Sequence, residues 1–169
     1  MQDTLITVIA IFIAAIVMFV FPVMYIAKSN ETIAQSNVQA LTNEYVNEIR
    51  TEAKITKNGM ADFSQKINST GNKFDIQIKV SVLDENPKKE NTTTIGQNLY
   101  YDVVIDGNGN LPGNQDEVNL TEGSVVTVKV ENTNKDLYQM FMTAIMGTNN
   151  DTSAIEATAT GIVTSTSNI

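Results

Sequence analysis

The sequence predicts an α+β fold in which a long amino-terminal helix packs on a small, mostly antiparallel β-sheet domain with one or two short helices. Three observations predict it. Residues 5–27 are almost wholly apolar, residues 33–53 carry apolar side chains at steps of three and four, and several later segments alternate between apolar and polar side chains. The 169-residue chain accordingly divides into an apolar helix (1–27), an amphipathic continuation of that helix (28–56) and a globular domain (57–169).

The composition excludes several classes of function. The chain has no cysteine and no histidine, which excludes thiol and imidazole nucleophiles and the common zinc sites. Its 19 acidic residues outnumber its 11 basic ones, giving a net charge of -8. Because the phosphates of nucleic acids need a basic surface, we expect no nucleic-acid partner.

The first element is an apolar helix that contains no charged residue between Asp3 and Lys28. A helix over residues 5–27 rises about 35 Å, which is enough to cross a hydrocarbon core of about 30 Å. A cleaved signal peptide is the alternative, but no basic region precedes the apolar run and no small-residue cleavage site follows it. We expect this helix to remain in the mature protein.

The positive charge after the apolar run conflicts with the composition of the following domain. The positive-inside rule places Lys28 in the cytoplasm. The domain, however, is acidic, rich in Asn and Thr and free of cysteine, which is typical of an extracellular domain. A basic leader that once preceded Met1 and has been removed resolves the conflict, so we expect an extracellular domain and a processed amino terminus.

Three features of the apolar helix point to contacts between helices. Asp3 lies at the start of the helix, where a carboxylate either gains only from the helix dipole or pairs with a cation in a dry environment. Pro22 frees a backbone carbonyl one turn earlier and predicts a kink or loosening around residues 18–22. Ala10 and Ala14 are small residues one turn apart, which lets helices approach closely. The alternative for each is ordinary lipid-facing sequence.

The second element continues the same helix beyond Lys28. No Gly or Pro interrupts residues 23–58, so the sequence predicts a single rod of about 50 residues. Its amphipathic half is expected to pack on the sheet through one stripe of side chains: Ile33, Ala34, Val38, Leu41, Tyr45, Ile49 and Ala53.

An acid within the first few residues, an uncharged run of about 24 residues, Pro22 and the amphipathic continuation resemble the type IV pilin superfamily. That superfamily includes Tad-type pilins and pseudopilins, and the cysteine-free, Asn/Thr-rich domain is most similar to pilin-like subunits of Gram-positive bacteria. The likeness is specific over the first 55 residues and architectural afterwards. The usual acid of the family is a glutamate at the fifth mature position, where this chain has Leu5.

The resemblance implies a non-enzymatic structural subunit without cofactor or metal. The subunit would wait in the cytoplasmic membrane, be extracted by a secretion and assembly machinery, and polymerise with identical copies into a filament at the cell surface. Asp3 would then pair with the Met1 amino group of a neighbouring subunit, Ala10 and Ala14 would pack between helices, and Pro22 would allow local extension. The alternative function is a single-pass, membrane-anchored monomer that displays a binding or adhesion domain.

The globular domain is predicted to follow the order helix–β–β–β–helix–β. A turn over 57–59 precedes a short helix over about 60–67, and a polar loop spans 84–93. A second helix over 135–146 has Asn134 as its candidate cap and an expected core side. The predicted strands are 74–82, 99–106, 124–131 and 153–165, and the expected core side of the second helix is Leu137, Met140, Phe141, Ala144 and Ile145.

One segment of the domain resembles a cation-binding loop. Residues 106–117 place oxygen ligands at several positions of a calcium-loop pattern, but Leu111 occupies the position that needs glycine. A Gly/Asn-rich connector between strands explains the same composition by backbone requirements alone, and we prefer it. The carboxylate pairs Asp84-Glu85 and Asp116-Glu117 lie in hydrophilic loops and are interpreted as solvated surface acids.

Overall fold

The structure is a computed structural model that describes residues 2–83, 92–95, 98–106, 111, 115–135, 137–147 and 155–165. Within that part of the chain the elements are α1 (Gln2–Glu52), β1 (Lys54–Thr56), α2 (Lys57–Asn68), β2 (Phe74–Leu83), β3 (Thr92–Ile95), β4 (Asn98–Asp106), β5 (Glu117–Asn119), β6 (Val125–Asn132), α3 (Leu137–Met146) and β7 (Glu156–Ile162). Five strands form one antiparallel sheet in the order β3-β4-β2-β6-β7, and β1 pairs with β5 in a small second sheet. The predicted α+β fold is confirmed.

The long helix α1 is continuous over 51 residues and stays helical through Pro22, so the predicted loosening leaves no break in it. It ends at Glu52 because Ala53 adopts a positive φ of 52°. The carbonyl of Ala53 accepts a hydrogen bond from the amide of Leu120 at 2.7 Å. The predicted extension of the helix to residue 56 is therefore wrong: the next three residues form β1 and pair with β5.

The second helix begins three residues earlier than the sequence predicts. The side chain of Thr56 caps its amino terminus by accepting a hydrogen bond from the amide of Gly59 at 3.0 Å, a preferred role for threonine. The predicted turn over 57–59 is thus the first turn of α2. The buried residues of α2 are Met60, Phe63 and Ile67, which share one face of the helix.

The four strands predicted in the domain are confirmed as β2, β4, β6 and β7, although β7 is shorter at both ends. Three short strands, β1, β3 and β5, are absent from the sequence prediction. Strand β3 includes the last two residues of the predicted polar loop, whose other residues, 84–91, lie outside the described residues. The core side of the sheet includes Ile76, Ile78, Val80, Val126, Val128, Val130, Ile155, Ala157 and Ala159, all buried.

The amphipathic half of α1 packs on the sheet, as predicted, and lies along β6 and β7. Of the predicted stripe, Ile33 is the exception, with 56% of its surface exposed. Thr42 and Val46 are buried instead, because the stripe follows the four-residue ridge that starts at Ala34. The hydroxyl of Thr42 donates to the carbonyl of Val38 at 2.7 Å, so a nominally polar residue fits the apolar seam.

Polar side chains of α1 also bond the free edge of β7. Gln35 donates to the carbonyl of Glu156 at 2.6 Å and accepts from its amide at 3.0 Å. Arg50 Nε donates to the carbonyl of Ile162 at 2.7 Å. The distances along the two elements agree, because α1 rises about 22 Å from Gln35 to Arg50 and β7 rises about 20 Å from Glu156 to Ile162. These bonds fix the direction of α1 relative to the sheet.

The predicted core side of α3 is wrong for Met140, Ala144 and Ile145, whereas the side chains of Leu137 and Phe141 lie outside the part that the structure describes. Met140 and Ile145 are 56% and 54% exposed, and Ala144 is exposed as well. The reason is that α3 packs against α1 rather than over the face of the sheet. Asn134 is not its cap either: its side-chain oxygen accepts from the amide of Lys73 at 2.7 Å, and α3 begins at Leu137.

Candidate functional site

The first half of α1 carries the apolar surface that needs an explanation. The first buried side chain of the described chain is Ala27, and none of the most apolar 18-residue stretch before it is buried. The large exposed side chains of this bare half-helix, residues 4–26, are Leu5, Ile6, Val8, Ile9, Ile11, Phe12, Ile13, Ile16, Val17, Met18, Phe19, Phe21, Val23, Tyr25 and Ile26. The helix is long and apolar enough to cross a membrane.

The predicted assembly residues fall on this bare half-helix where the structure describes them. Ala10, Ala14 and Pro22 are exposed. With Met18 they follow one another at steps of four, so the two small side chains and the carbonyl that Pro22 leaves without its helical partner lie along one ridge. Asp3 belongs to the first turn of α1, and Met1 lies outside the described residues.

The neck of the molecule, residues 27–34 with the first turn of α3, joins the bare half-helix to the domain. Lys28 Nζ forms an ion pair with Glu31 at 2.9 Å and lies 4.8 Å from the ring centre of Tyr138. The Glu31 carboxylate is only 10% exposed. The described helix therefore passes from bare to packed within about two turns, without a linker.

A cavity of about 420 Å³ lies at the neck. Ala27 and Ala34 of α1 line it, opposite Thr70, Gly71 and Asn72, which connect α2 to β2. Sequence reasoning does not find the cavity, since it depends on how the turn after α2 meets the helix.

The outer face of the sheet carries ion pairs. Lys79 Nζ lies 2.8 Å from the carboxylate of Asp102, and Ser81 donates a hydrogen bond to the same carboxylate at 2.6 Å. The hydrogen bonds from Lys79 and then Ser81 hold the pKa of Asp102 below its ordinary value of 3.8. Lys129 lies between Glu131 and Glu156, and its hydrogen bond to Glu131 raises its pKa. The paired charges make this face suited to water.

The Asp102 cluster predicts a small acid sensitivity. Because the pKa of Asp102 is lower in the folded protein, its stabilising effect is complete above the ordinary carboxyl range and is lost as pH falls through the folded pKa. Asp102→Asn should lower the free energy of unfolding by up to about 1 kcal/mol at neutral pH and by nothing in strong acid. Urea unfolding at both pH values measures this. Glu122→Gln, which removes one charge from an exposed turn, is the control; equal curves for both variants contradict the assignment.

Among the described residues, Tyr45 is a buried titratable group with a strongly perturbed pKa. Burial, and secondarily the charge of Glu48, raise the pKa of Tyr45 above its usual range. Its ring stacks on Phe63 with centroids 4.4 Å apart, and its hydroxyl has no hydrogen-bond partner among the described residues. Tyr45 therefore stays protonated at physiological pH and serves the packing of α1 on α2.

The calcium-loop interpretation of 106–117 is not tested, because 107–110 and 112–114 lie outside the described residues. Leu111, at the position where a calcium loop needs glycine, is buried in the core. In the part of the chain that the structure describes, no group of three acidic side chains is placed to hold a metal ion. No protein-family model, curated protein or solved structure matches the chain.

Proposed function

We propose that this chain is a pilin-like structural subunit. It resides in the cytoplasmic membrane before assembly and then polymerises through its bare half-helix into an extracellular, pilus-like filament. One observation carries the proposal: the bare half-helix continues without a break or linker into a helix that is packed on the domain. Its role is structural rather than enzymatic, and its partners are identical copies and an assembly machinery.

Energetics supports an apolar partner for the bare half-helix. Each exposed Leu-, Ile- or Phe-sized side chain gains about 1.5–3 kcal/mol when it leaves water. With fifteen large apolar side chains exposed on residues 4–26, the helix needs either lipid or copies of itself. In a filament, neighbouring half-helices replace the bilayer that held the subunit before assembly.

The rigid attachment of the helix favours a filament over a simple anchor. A helical polymer repeats one geometry, so the angle between the buried helix and the outer domain must be the same in every copy. The bonds of Gln35 and Arg50 to the edge of β7 fix that angle. A monomeric anchor has no such requirement, because it functions equally well when a flexible linker follows the membrane span.

The proposed contacts follow from this arrangement. The carboxylate of Asp3 forms an ion pair with the Met1 amino group of a neighbouring subunit, because a carboxylate in a dry core needs a cation. Ala10 and Ala14 let two helices approach closely. Pro22 permits local extension near residue 18, and the domain forms the outer sheath with the ion-paired face of its sheet toward water.

Negative-stain microscopy of a sheared-cell fraction tests the proposal. Antibody raised against the globular domain should decorate regular fibres that contain this chain. The cysteine-free sequence permits a matched pair of single-cysteine variants. In detergent-free fibres, the thiol of the Ala14→Cys variant should resist a water-soluble thiol reagent. The thiol of the Val104→Cys variant should react, because Val104 is exposed on the sheet. Recovery of the chain only as detergent-dependent monomers contradicts polymerisation and supports the membrane-anchored display protein.

The pairing of Asp3 gives a mutational prediction. Asp3→Ala should lower the yield of sheared fibres severalfold, because an amino group is left without its carboxylate in the filament core. The melting temperature of the domain should not change, since the substitution is remote from the core that begins at Ala27. Gln2→Ala is the matched neutral control. A normal fibre yield for Asp3→Ala shows that Asp3 has no part in assembly.

A further inference from the structure

Helix α3, whose first turn belongs to the neck, carries exposed apolar side chains. Beyond residue 27, the described large hydrophobic side chains that remain exposed are Ile33, Val104, Met140, Ile145 and Ile162. Two of these five belong to α3, and Ile33 lies within two turns of Lys28 on α1. Helix α3 has no charged residue over its length. The domain therefore presents an uncharged, partly apolar helix beside the point where the bare half-helix emerges.

The contact between Lys28 and Tyr138 fixes the level of α3 along α1. When residues 5–27 span a hydrocarbon core of about 30 Å, Lys28 is at the height of the lipid headgroups. Tyr25, which is exposed one turn earlier, takes the position that interfacial tyrosines favour. Because the Tyr138 ring centre is 4.8 Å from Lys28 Nζ, the first turn of α3 lies at the same height.

We propose that α3 is a membrane-interface helix. While α1 spans the membrane, α3 lies at the boundary between headgroups and acyl chains, and the exposed Met140 and Ile145 contact lipid. Since the chain carries a net charge of -8, apolar contact and not attraction to anionic lipid holds it there. This contact seats the domain against the bilayer.

The exposed side of α3 contacts the phospholipid bilayer and not a second copy of the chain. The first turn of α3 lies beside Lys28, the residue that follows the span, because the ring centre of Tyr138 is 4.8 Å from Lys28 Nζ. The exposed apolar side chains of α3 thus belong to a helix that starts next to the end of the segment that enters the bilayer. The inference rests on the membrane-inserted state that precedes assembly and not on polymerisation. A finding that α3 does not contact lipid and a finding that no fibres form are therefore separate results.

Single-tryptophan reporters test the proposal cleanly, because the chain has no tryptophan. The full chain is reconstituted in phosphatidylcholine vesicles whose acyl chains carry bromine near the headgroup, a quencher of tryptophan fluorescence. Met140→Trp and Ile145→Trp should lose about half or more of their fluorescence relative to unbrominated vesicles. Tyr25→Trp should be quenched as well, while Val104→Trp, at a site that is 67% exposed on the sheet, should keep its emission.

Each other outcome overturns the proposal. Unquenched reporters on α3 beside a quenched Tyr25→Trp place α3 in water above the bilayer. An unquenched Tyr25→Trp means that α1 does not enter the membrane in this register. Quenching of Val104→Trp equal to that of the α3 reporters means that the domain contacts lipid without any preference for α3. Emission from α3 that shifts to the blue only in fibres assigns the surface to a neighbouring copy. Two separate reporters on α3 guard against one variant that misfolds, and the near-ultraviolet signal checks each fold.

Discussion

A chain of residues 27–169 is expected to be a soluble monomer that keeps the folded domain. The buried side chains of the described structure begin at Ala27, so the truncation removes no core residue. It does remove the fifteen large exposed side chains of the bare half-helix, each worth about 1.5–3 kcal/mol in its drive to leave water. Sedimentation velocity without detergent should show one species of monomer mass, whereas the full-length chain should sediment as fibres or require detergent.

A second truncation provides the matched control. A chain of residues 41–169 lacks Ala34 and Val38 from the core and the bonds of Gln35 and Gln39 to β7. We expect its cooperative unfolding transition to be weakened or lost, because β7 then has an open edge. Unfolding of the 27–169 chain, or association of it into fibres, contradicts the division of α1 into an assembly half and a packing half.

The sequence predicts those elements of the fold whose side-chain periodicity is long and regular. The alternation from Phe74 to Val82 predicts β2 nearly to the residue. Strand β1 escapes prediction because it has only three residues, follows a strong helical pattern, and exists by pairing with β5. The end of α1 is likewise set by tertiary structure, since Ala53 is a good helix former that the Leu120 bond holds at positive φ.

Periodicity also identifies α3 as a helix but cannot say what it packs against. Its apolar residues surround the helix, so the choice of a core side needs knowledge of where α3 lies. The side chains of Gln35 and Gln39 present the same difficulty. They read as solvent-facing, yet they bond a strand that follows more than 100 residues later in the chain.

The candidate site also has one part that the sequence predicts and one part that it does not. The bare half-helix follows from composition alone, because a run of uncharged apolar residues needs an apolar partner whatever the domain does. Composition does not predict the neck, because the contact of Lys28 with Tyr138 joins residues far apart in sequence. The pairing of Asp3 with Met1 involves two copies of the chain, so it stays a prediction.

The close packing of α1 on the sheet depends on Gly161. Substitution of Gly161 should have the largest effect on folding of any single change proposed for the domain. Gly161 is buried on β7 opposite Val126, where α1 crosses the strand. A Cβ atom there would lie 2.9 Å from Val46 Cγ1 and would overlap the aliphatic stem of Arg50. Gly161→Ala should therefore lower the free energy of unfolding by about 1–3 kcal/mol, and Gly161→Val by more.

Thermal unfolding of the full chain in detergent measures this effect, at roughly 2–4 °C per kcal/mol for a chain of this size. Thr158→Ala, on the exposed face of the same strand, is the control and should melt near the parent temperature. An unchanged melting temperature for Gly161→Ala contradicts the close approach of helix and strand. Because a displaced Arg50 releases the carbonyl of Ile162, the direction of the bare half-helix should also become less fixed. Fibre yield should then fall in Gly161→Ala even at temperatures where the domain remains folded, since a helical polymer tolerates no variation in the angle between its core and its sheath.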